Sequence, residues 1–239
     1  MTDPAPARTA RRVLLRPDVL GFLACAAVFS AWPGIDLAVA RLFYVPGHGF
    51  PLDDTIPIRV LYRVFQYIGW VVILAAIGGW IAARTGRVRR PAVTQRACIY
   101  LLLVAFIGPM LLVNGILKEH WGRARPHEVA QFAGEHTFTP ALEPANQCDT
   151  NCSFVSGHAA AGFYFMAIAW AFRRRRWLYG GIALGALAGF VRIAQGGHFL
   201  SDVVFSGWCV YASCLLVAWL LYRDTRIERP DPPVTHDTS

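Results

Sequence analysis

Six stretches of this chain approach the length of a bilayer crossing and carry almost no charge. Residues 64–83, 97–117 and 203–222 contain no Asp, Glu, Lys or Arg; 19–39 is interrupted by Asp36, 177–197 by Arg192, and 154–172 is apolar around His158. A hydrocarbon core about 30 Å thick takes about 20 apolar residues as a helix. Inside it every backbone N–H and C=O must be paired within the protein, which favours helices for runs of this length. Charged residues make up 16% of the 239, against roughly 25% in a soluble domain. This composition argues against a soluble enzyme and excludes a disordered chain. The expectation is an all-α polytopic membrane protein: a six-transmembrane-helix bundle over residues 17–226, with short tails at 1–16 and 227–239. The first run is longer than a signal-peptide core and further runs follow, so no cleavable leader is expected.

The basic residues orient the bundle. Of 23 Lys and Arg, 16 fall in alternate connections: Arg8, Arg11, Arg12 and Arg16; Arg84, Arg87, Arg89, Arg90 and Arg96; Arg173 to Arg176; and Arg223, Arg226 and Arg229. Cytoplasmic loops carry such an excess, so both tails are expected in the cytoplasm. The net charge of +8 is therefore a topology signal. No basic face interleaved with aromatic residues supports nucleic-acid binding. The connections at about 40–59, 118–153 and 196–200 then face outward, and the middle one is long enough to suggest a functional loop.

Ionisable residues at the ends of apolar spans are costly and point to function. Lys118 ends the third run, with Arg123 and Arg125 just beyond; Ser156 and His158 begin the fourth; Arg192 lies near the end of the fifth; His198 and Asp202 lead into the sixth. In the alternation set by the other Arg residues, all four ends lie on the outer side. Individually these residues have structural explanations, as snorkelling cations or a helix cap. Together they describe an anion site. Lys118, Arg125 and Arg192 can surround one multiply charged group. Ser156 and Gly157 open a helix whose N–H groups point at an anion. His198 and Asp202, four apart, share a helix face. A carboxylate bonded to one ring nitrogen fixes the tautomer and leaves the other nitrogen free to attack. His158 supplies a second imidazole to protonate a leaving oxygen. The rival is a two-His, one-carboxylate metal set from His158, His198 and Asp202; three nearby cations oppose it, so no metal or other cofactor is expected.

Three motifs in order resemble the type 2 phosphatidic acid phosphatases, a family related to the vanadium haloperoxidases. Lys118, six intervening residues, Arg125 and Pro126 match the first motif. Ser156, Gly157 and His158 match the second, with Val155 in place of the usual Pro. Arg192, five residues, His198, three residues and Asp202 match the third, with Val191 where Ser is common. The resemblance implies that His198 is a nucleophile forming a phosphohistidine, that Asp202 holds it, and that His158 is the acid. It implies phosphate binding by Lys118, Arg125, Ser156, Gly157 and Arg192. Six membrane-length runs argue against the soluble haloperoxidase branch.

An outward-facing site at the lipid surface suits a lipid phosphate whose chains stay in the bilayer. The segments around these motifs look most like bacterial lipid A phosphatases, which implies the bacterial inner membrane and a periplasmic site. Undecaprenyl pyrophosphate, phosphatidylglycerophosphate and phosphatidic acid are the alternative substrates. A lipid transporter with a cationic site would not need the two imidazoles and the carboxylate. No obligatory protein partner is evident. Six cysteines are too few for a disulfide scaffold. Four lie in or beside apolar runs, whereas Cys148 and Cys152 fall in the outer loop just before Ser156. An oxidising compartment permits a bridge between them; two unpaired thiols in a flexible loop are the alternative.

Overall fold

The computed structural model describes residues 16–228, so the two tails with Arg8, Arg11, Arg12 and Arg229 lie almost entirely outside the described residues. Among the described residues, seven helices of eight or more residues follow one another, with short 3-10 turns between some of them: α1 (Pro17–Ala31), α2 (Gly34–Arg41), α3 (Ile56–Arg84), α4 (Pro91–His120), α5 (Gly157–Phe172), α6 (Arg176–Ala194) and α7 (Leu200–Tyr222). Among the described residues there is no strand, only two isolated bridges. The chain is thus an all-α protein.

Four helices, α3, α4, α6 and α7, are long and apolar enough to cross a bilayer. The remaining two expected spans take other forms. The first run is broken at Trp32 and Pro33, where α1 and α2 meet at 82°. Pro33 and Gly34 give the physical reason: a residue without an N–H next to one without a side chain interrupts the hydrogen-bond ladder. Together the pair makes one further candidate crossing. The fourth run yields α5, which starts three residues later than expected and has only 16 residues. At 1.5 Å per residue this is about 24 Å, short of the hydrocarbon thickness.

The short helix is the centre of the bundle. Ala159, Ala160, Phe163, Tyr164, Ala167, Ala169 and Trp170 are all buried. α5 lies against α6 at backbone distance: a Cβ added to Gly162 would fall 2.8 Å from the Gly185 Cα, and one added to Gly181 would strike the Met166 amide. Small residues at such contacts replace the hydrophobic driving force that lipid removes. The Tyr164 hydroxyl donates to the Leu101 carbonyl of α4 at 2.8 Å, and the Tyr100 hydroxyl of α4 donates to the Cys214 carbonyl of α7 at 3.1 Å. In contrast, α3 turns Val60, Val64, Tyr67, Trp70, Val71 and Leu74 outward. An apolar periphery around a core of small residues is the arrangement expected in lipid.

Two local features place the functional groups. α4 is wound as a π-helix over Phe106–Leu117, with Pro109 inside; the missing Pro N–H favours such widened turns. The Asn114 side chain donates to the Pro109 carbonyl at 2.7 Å. α3 begins eight residues before the uncharged run that announced it, so Arg59, Tyr62 and Arg63 belong to a helix and not to the outer loop or its edge.

Candidate active site

The end of α4, the start of α5, the end of α6 and the start of α7 converge at one end of the bundle, bringing together all eight expected site residues. Lys118 lies in the last turn of α4. Ser156 caps α5, its hydroxyl accepting from the Ala159 N–H at a long 3.4 Å, while its own N–H donates to the Asp202 carbonyl at 3.2 Å. Gly157 follows, and a Cβ there would sit 2.6 Å from the Asn114 amide oxygen. Glycine in the second motif thus leaves room for the Asn114 side chain of α4. After α6 the chain turns at Gly196, whose φ of +66° favours glycine. That turn delivers His198 into the interior, where it is 1% exposed.

The His198 imidazole is fixed by a partner different from the expected one. Its Nδ1 lies 2.7 Å from the Ser153 carbonyl and 3.6 Å from Asp202 Oδ2. The carbonyl can only accept, so Nδ1 carries the proton and Nε2 keeps its lone pair. Asp202 sits one layer behind. Its Oδ2 accepts from the Ser153 hydroxyl at 2.6 Å and from the Phe199 N–H at 2.8 Å, and its Oδ1 accepts from Arg123 at 2.6 Å. Burial holds the His198 imidazole below its ordinary range; Asp202 opposes that shift, and Arg192 and Lys118 add to it. The neutral imidazole is therefore the favoured form of His198 near pH 7.

Arg123 is the largest element that the motif reading missed. Its guanidinium is fully buried and engaged on every side. Nη1 donates to Asp202 Oδ1 and to the Ser201 hydroxyl, Nη2 to Asp36 Oδ2 at 2.8 Å, and Nε to the Thr139 carbonyl at 2.9 Å. The Phe199 ring closes one face, with its centroid 4.4 Å from Cζ. Burial alone would lower the guanidinium pKa; Asp202 and Asp36 overcome that and hold it above its ordinary value. Asp36 also accepts from the Ser201 N–H at 2.9 Å, tying α2 to the start of α7. The one charge in the first apolar run was the available signal, because an isolated carboxylate in a span needs a partner.

His158 and Arg192 keep polar atoms in reserve. His158 stacks on Tyr62 of α3, ring centroids 4.4 Å apart, and Arg192 Cζ lies 5.0 Å from the same ring. Arg192 donates through Nη1 to Gln195 at 2.7 Å. Yet His158 Nε2 and Arg192 Nε are buried with no hydrogen-bond partner among the described residues. Such orphans are rare and call for a ligand or water. Arg125 donates to the Asn151 carbonyl at 2.6 Å and is otherwise available. A cavity of about 750 Å³ opens over Arg125, Arg192, Tyr62 and Gly197. Tyr62 had no signal in the sequence, being one of 8 Tyr in an aromatic-rich chain. Donor chemistry disfavours the metal alternative: both Asp202 oxygens already accept hydrogen bonds, from Arg123, Ser153 and Phe199.

The loop before Ser156 is anchored to the first motif. The Cys152 N–H donates to the Lys118 carbonyl at 3.0 Å and the Ser153 N–H to the Arg123 carbonyl at 2.9 Å. Cys148 and Cys152 are paired as a disulfide with Cα atoms 5.6 Å apart. The small ring encloses Asn151, whose carbonyl holds Arg125. Reductant should therefore lower activity about two- to fivefold, since it loosens a partner of Arg125 without removing a reacting group. Cys148→Ser should reproduce that loss and be insensitive to reductant. Phosphate release with and without reductant, alongside intact-mass measurement of free thiols, checks this; freely alkylated thiols in protein from an oxidising compartment would contradict it.

Comparison with known proteins is consistent with this geometry. The model of the PAP2 superfamily matches residues 96–227, the span holding all three motifs. The lipid A 4'-phosphatase of Francisella tularensis subsp. novicida is 33% identical over 219 residues, covering 86% of this chain and 96% of that protein. The lipid A 4'-phosphatase of Rhizobium leguminosarum is 35% identical over 202 residues, 77% of this chain and 86% of its own length. The lipid A 1-phosphatase of Rhizobium etli is 34% identical over 143 residues, 52% of this chain and 59% of that protein. No solved structure gives a significant match. With the family model spanning more than half of its length and relatives aligned along most of it, this chain belongs to the PAP2 superfamily.

Proposed function

We propose that this protein is a metal-independent phosphatase of the bacterial inner membrane that removes the 4'-phosphate of lipid A at the periplasmic face. The observation that carries the reading is the pairing of a buried, neutral His198 with two unpartnered buried nitrogens, His158 Nε2 and Arg192 Nε, at a site ringed by Lys118, Arg125 and Arg192. His198 Nε2 attacks phosphorus, a P–N bond forms and the P–O bond to the sugar breaks. His158, favoured in its protonated form by the incoming dianion, gives its proton to the leaving oxygen. Water then attacks the phosphohistidine, His158 takes the water proton, the P–N bond breaks and inorganic phosphate leaves. Lys118, Arg125, Arg192 and the Gly157 backbone balance the charge on the five-coordinate phosphorus. Ser153 and Asp202 hold the imidazole.

The 4' position is favoured because the two 4'-phosphatases align over 77–86% of the chain, and the 1-phosphatase over 52%. Orientation rests on the Arg residues between α3 and α4, between α5 and α6, and after α7, which lie at the opposite end of the helices from the site. With these inside, both tails are cytoplasmic.

The test is phosphate release by detergent-purified protein from a panel containing lipid A, phosphatidic acid, phosphatidylglycerophosphate and undecaprenyl pyrophosphate. Lipid A is expected to lose its 4'-phosphate in excess EDTA, with vanadate inhibiting. Release from another lipid alone would overturn the substrate, and silence in EDTA reversed by zinc would overturn the mechanism.

A further inference from the structure

We propose that Arg63 forms a second anion subsite, which binds a phosphate elsewhere on the same substrate headgroup while the first is at His198. This rests on the reading of the protein as a lipid A phosphatase. Seven of the 23 basic residues lie outside the clusters that orient the bundle: Arg41, Arg59, Arg63, Lys118, Arg123, Arg125 and Arg192. Lys118, Arg125 and Arg192 ring the reacting phosphate, and Arg123 is enclosed by Asp36 and Asp202. Arg59 donates to Asp54 at 2.5 Å. That leaves two, and only Arg63 lines the cavity.

The placement of Arg63 follows from helix geometry. Arg59, Tyr62 and Arg63 stand at i, i+3 and i+4 on α3, one face of the helix. Tyr62 on that face stacks on His158 and lies under Arg192. Arg63 is therefore next to the group that stacks on the proposed acid, yet is exposed and, among the described residues, has no hydrogen bond or ion pair. The cavity it shares with Arg125 and Arg192 has a volume of about 750 Å³, the scale of a pocket for a drug-sized ligand and not for a single phosphate. Its wall also carries Phe50, Tyr62 and Phe132, flat surfaces suited to sugar rings. The two carboxylates on the rim are already engaged: Asp54 with Arg59, and Asp53 as acceptor from Gln195 at 2.5 Å. A cation here runs against the excess of basic residues at the opposite end of the bundle. The relatives' names mark phosphates at positions 4' and 1 of lipid A, so a headgroup in this cavity carries one charge for His198 and another to meet Arg63.

The decisive measurement compares lipid A phosphorylated at both positions with lipid A phosphorylated at 4' alone, using the full-length protein in detergent. Wild type should show a KM about tenfold lower for the doubly phosphorylated lipid, the effect of one charge-assisted contact. Arg63→Gln should erase that preference, leaving the singly phosphorylated lipid unaffected, and Arg63→Lys should restore part of it. Equal KM values for the two lipids in wild type, or a preference that survives in Arg63→Gln, would overturn the subsite while leaving lipid A phosphatase activity intact. Hydrolysis of phosphatidic acid with neither lipid A form turned over would overturn the substrate reading and the subsite with it.

Discussion

His198→Ala is expected to abolish turnover in a protein that still folds. The loss should be about 10⁴-fold or more, because the proposed nucleophile acts as part of a unit whose other members cannot replace it. The side chain makes one hydrogen bond, to the Ser153 carbonyl, so its removal leaves a small cavity and one underused acceptor but no stranded charge. Asp202→Asn separates two roles. If the carboxylate were the direct partner of Nδ1, the amide would disturb the tautomer and cost nearly as much as losing the nucleophile. Since the Ser153 carbonyl already fixes the proton on Nδ1, the variant should keep measurable turnover. Single-turnover labelling with a 32P-lipid substrate reads both: wild type should trap an acid-labile phosphoenzyme, Asp202→Asn less of it, and His198→Ala none. Near-normal turnover by folded His198→Ala protein would exclude His198 as nucleophile.

The residues of the candidate site were legible because their charges fall within or at the ends of apolar runs. Arg192 stands inside an apolar run, and Lys118, His198 and Asp202 stand where runs end or begin, positions that are visible without a fold. Span counting was less secure. The 82° bend between α1 and α2 comes from Pro33 and Gly34, and the 16-residue α5 is packed at backbone distance against α6 through small residues; hydropathy senses the length of a run but neither its breaks nor its neighbours. Least legible were groups that act through contact alone. Tyr62 is an aromatic residue in a helix of apolar residues, and only the fold brings it against His158. Ser153 acts through its carbonyl as well as its hydroxyl, and no sequence pattern distinguishes a backbone oxygen. Arg123 lay between two motif cations, and its spacing grouped it with them. The fold sets it apart by placing Asp36 and Asp202, 87 and 79 residues away in sequence, against its two terminal nitrogens.

That buried cluster is predicted to be the most fragile point of the molecule. One guanidinium neutralises two carboxylates, all three about 1% exposed or less. Arg123→Met keeps the volume and removes the charge, leaving Asp36 and Asp202 buried and unpaired. Breaking a buried pair from one side costs about 3–5 kcal/mol, so a large drop in the thermal midpoint in detergent is expected, together with loss of activity as Asp202 shifts away from Ser153. Arg123→Lys should rescue little, because one ammonium cannot reach Asp36, Asp202, Ser201 and the Thr139 carbonyl from a single point. Asp36→Asn is the informative contrast. It leaves Arg123 and Asp202 as a one-to-one pair and keeps an acceptor for the Ser201 N–H, so its cost should be only about 1–2 kcal/mol. The order Arg123→Met, then Asp36→Asn, then wild type follows from charge balance alone. If Asp36→Asn proved as damaging as Arg123→Met, the cluster would depend on the shape of the Asp36 carboxylate and not on neutralisation of Asp202. If Arg123→Met kept both its midpoint and its turnover, Asp202 would need no counter-charge, and the link from α2 through Arg123 to His198 would have no energetic content.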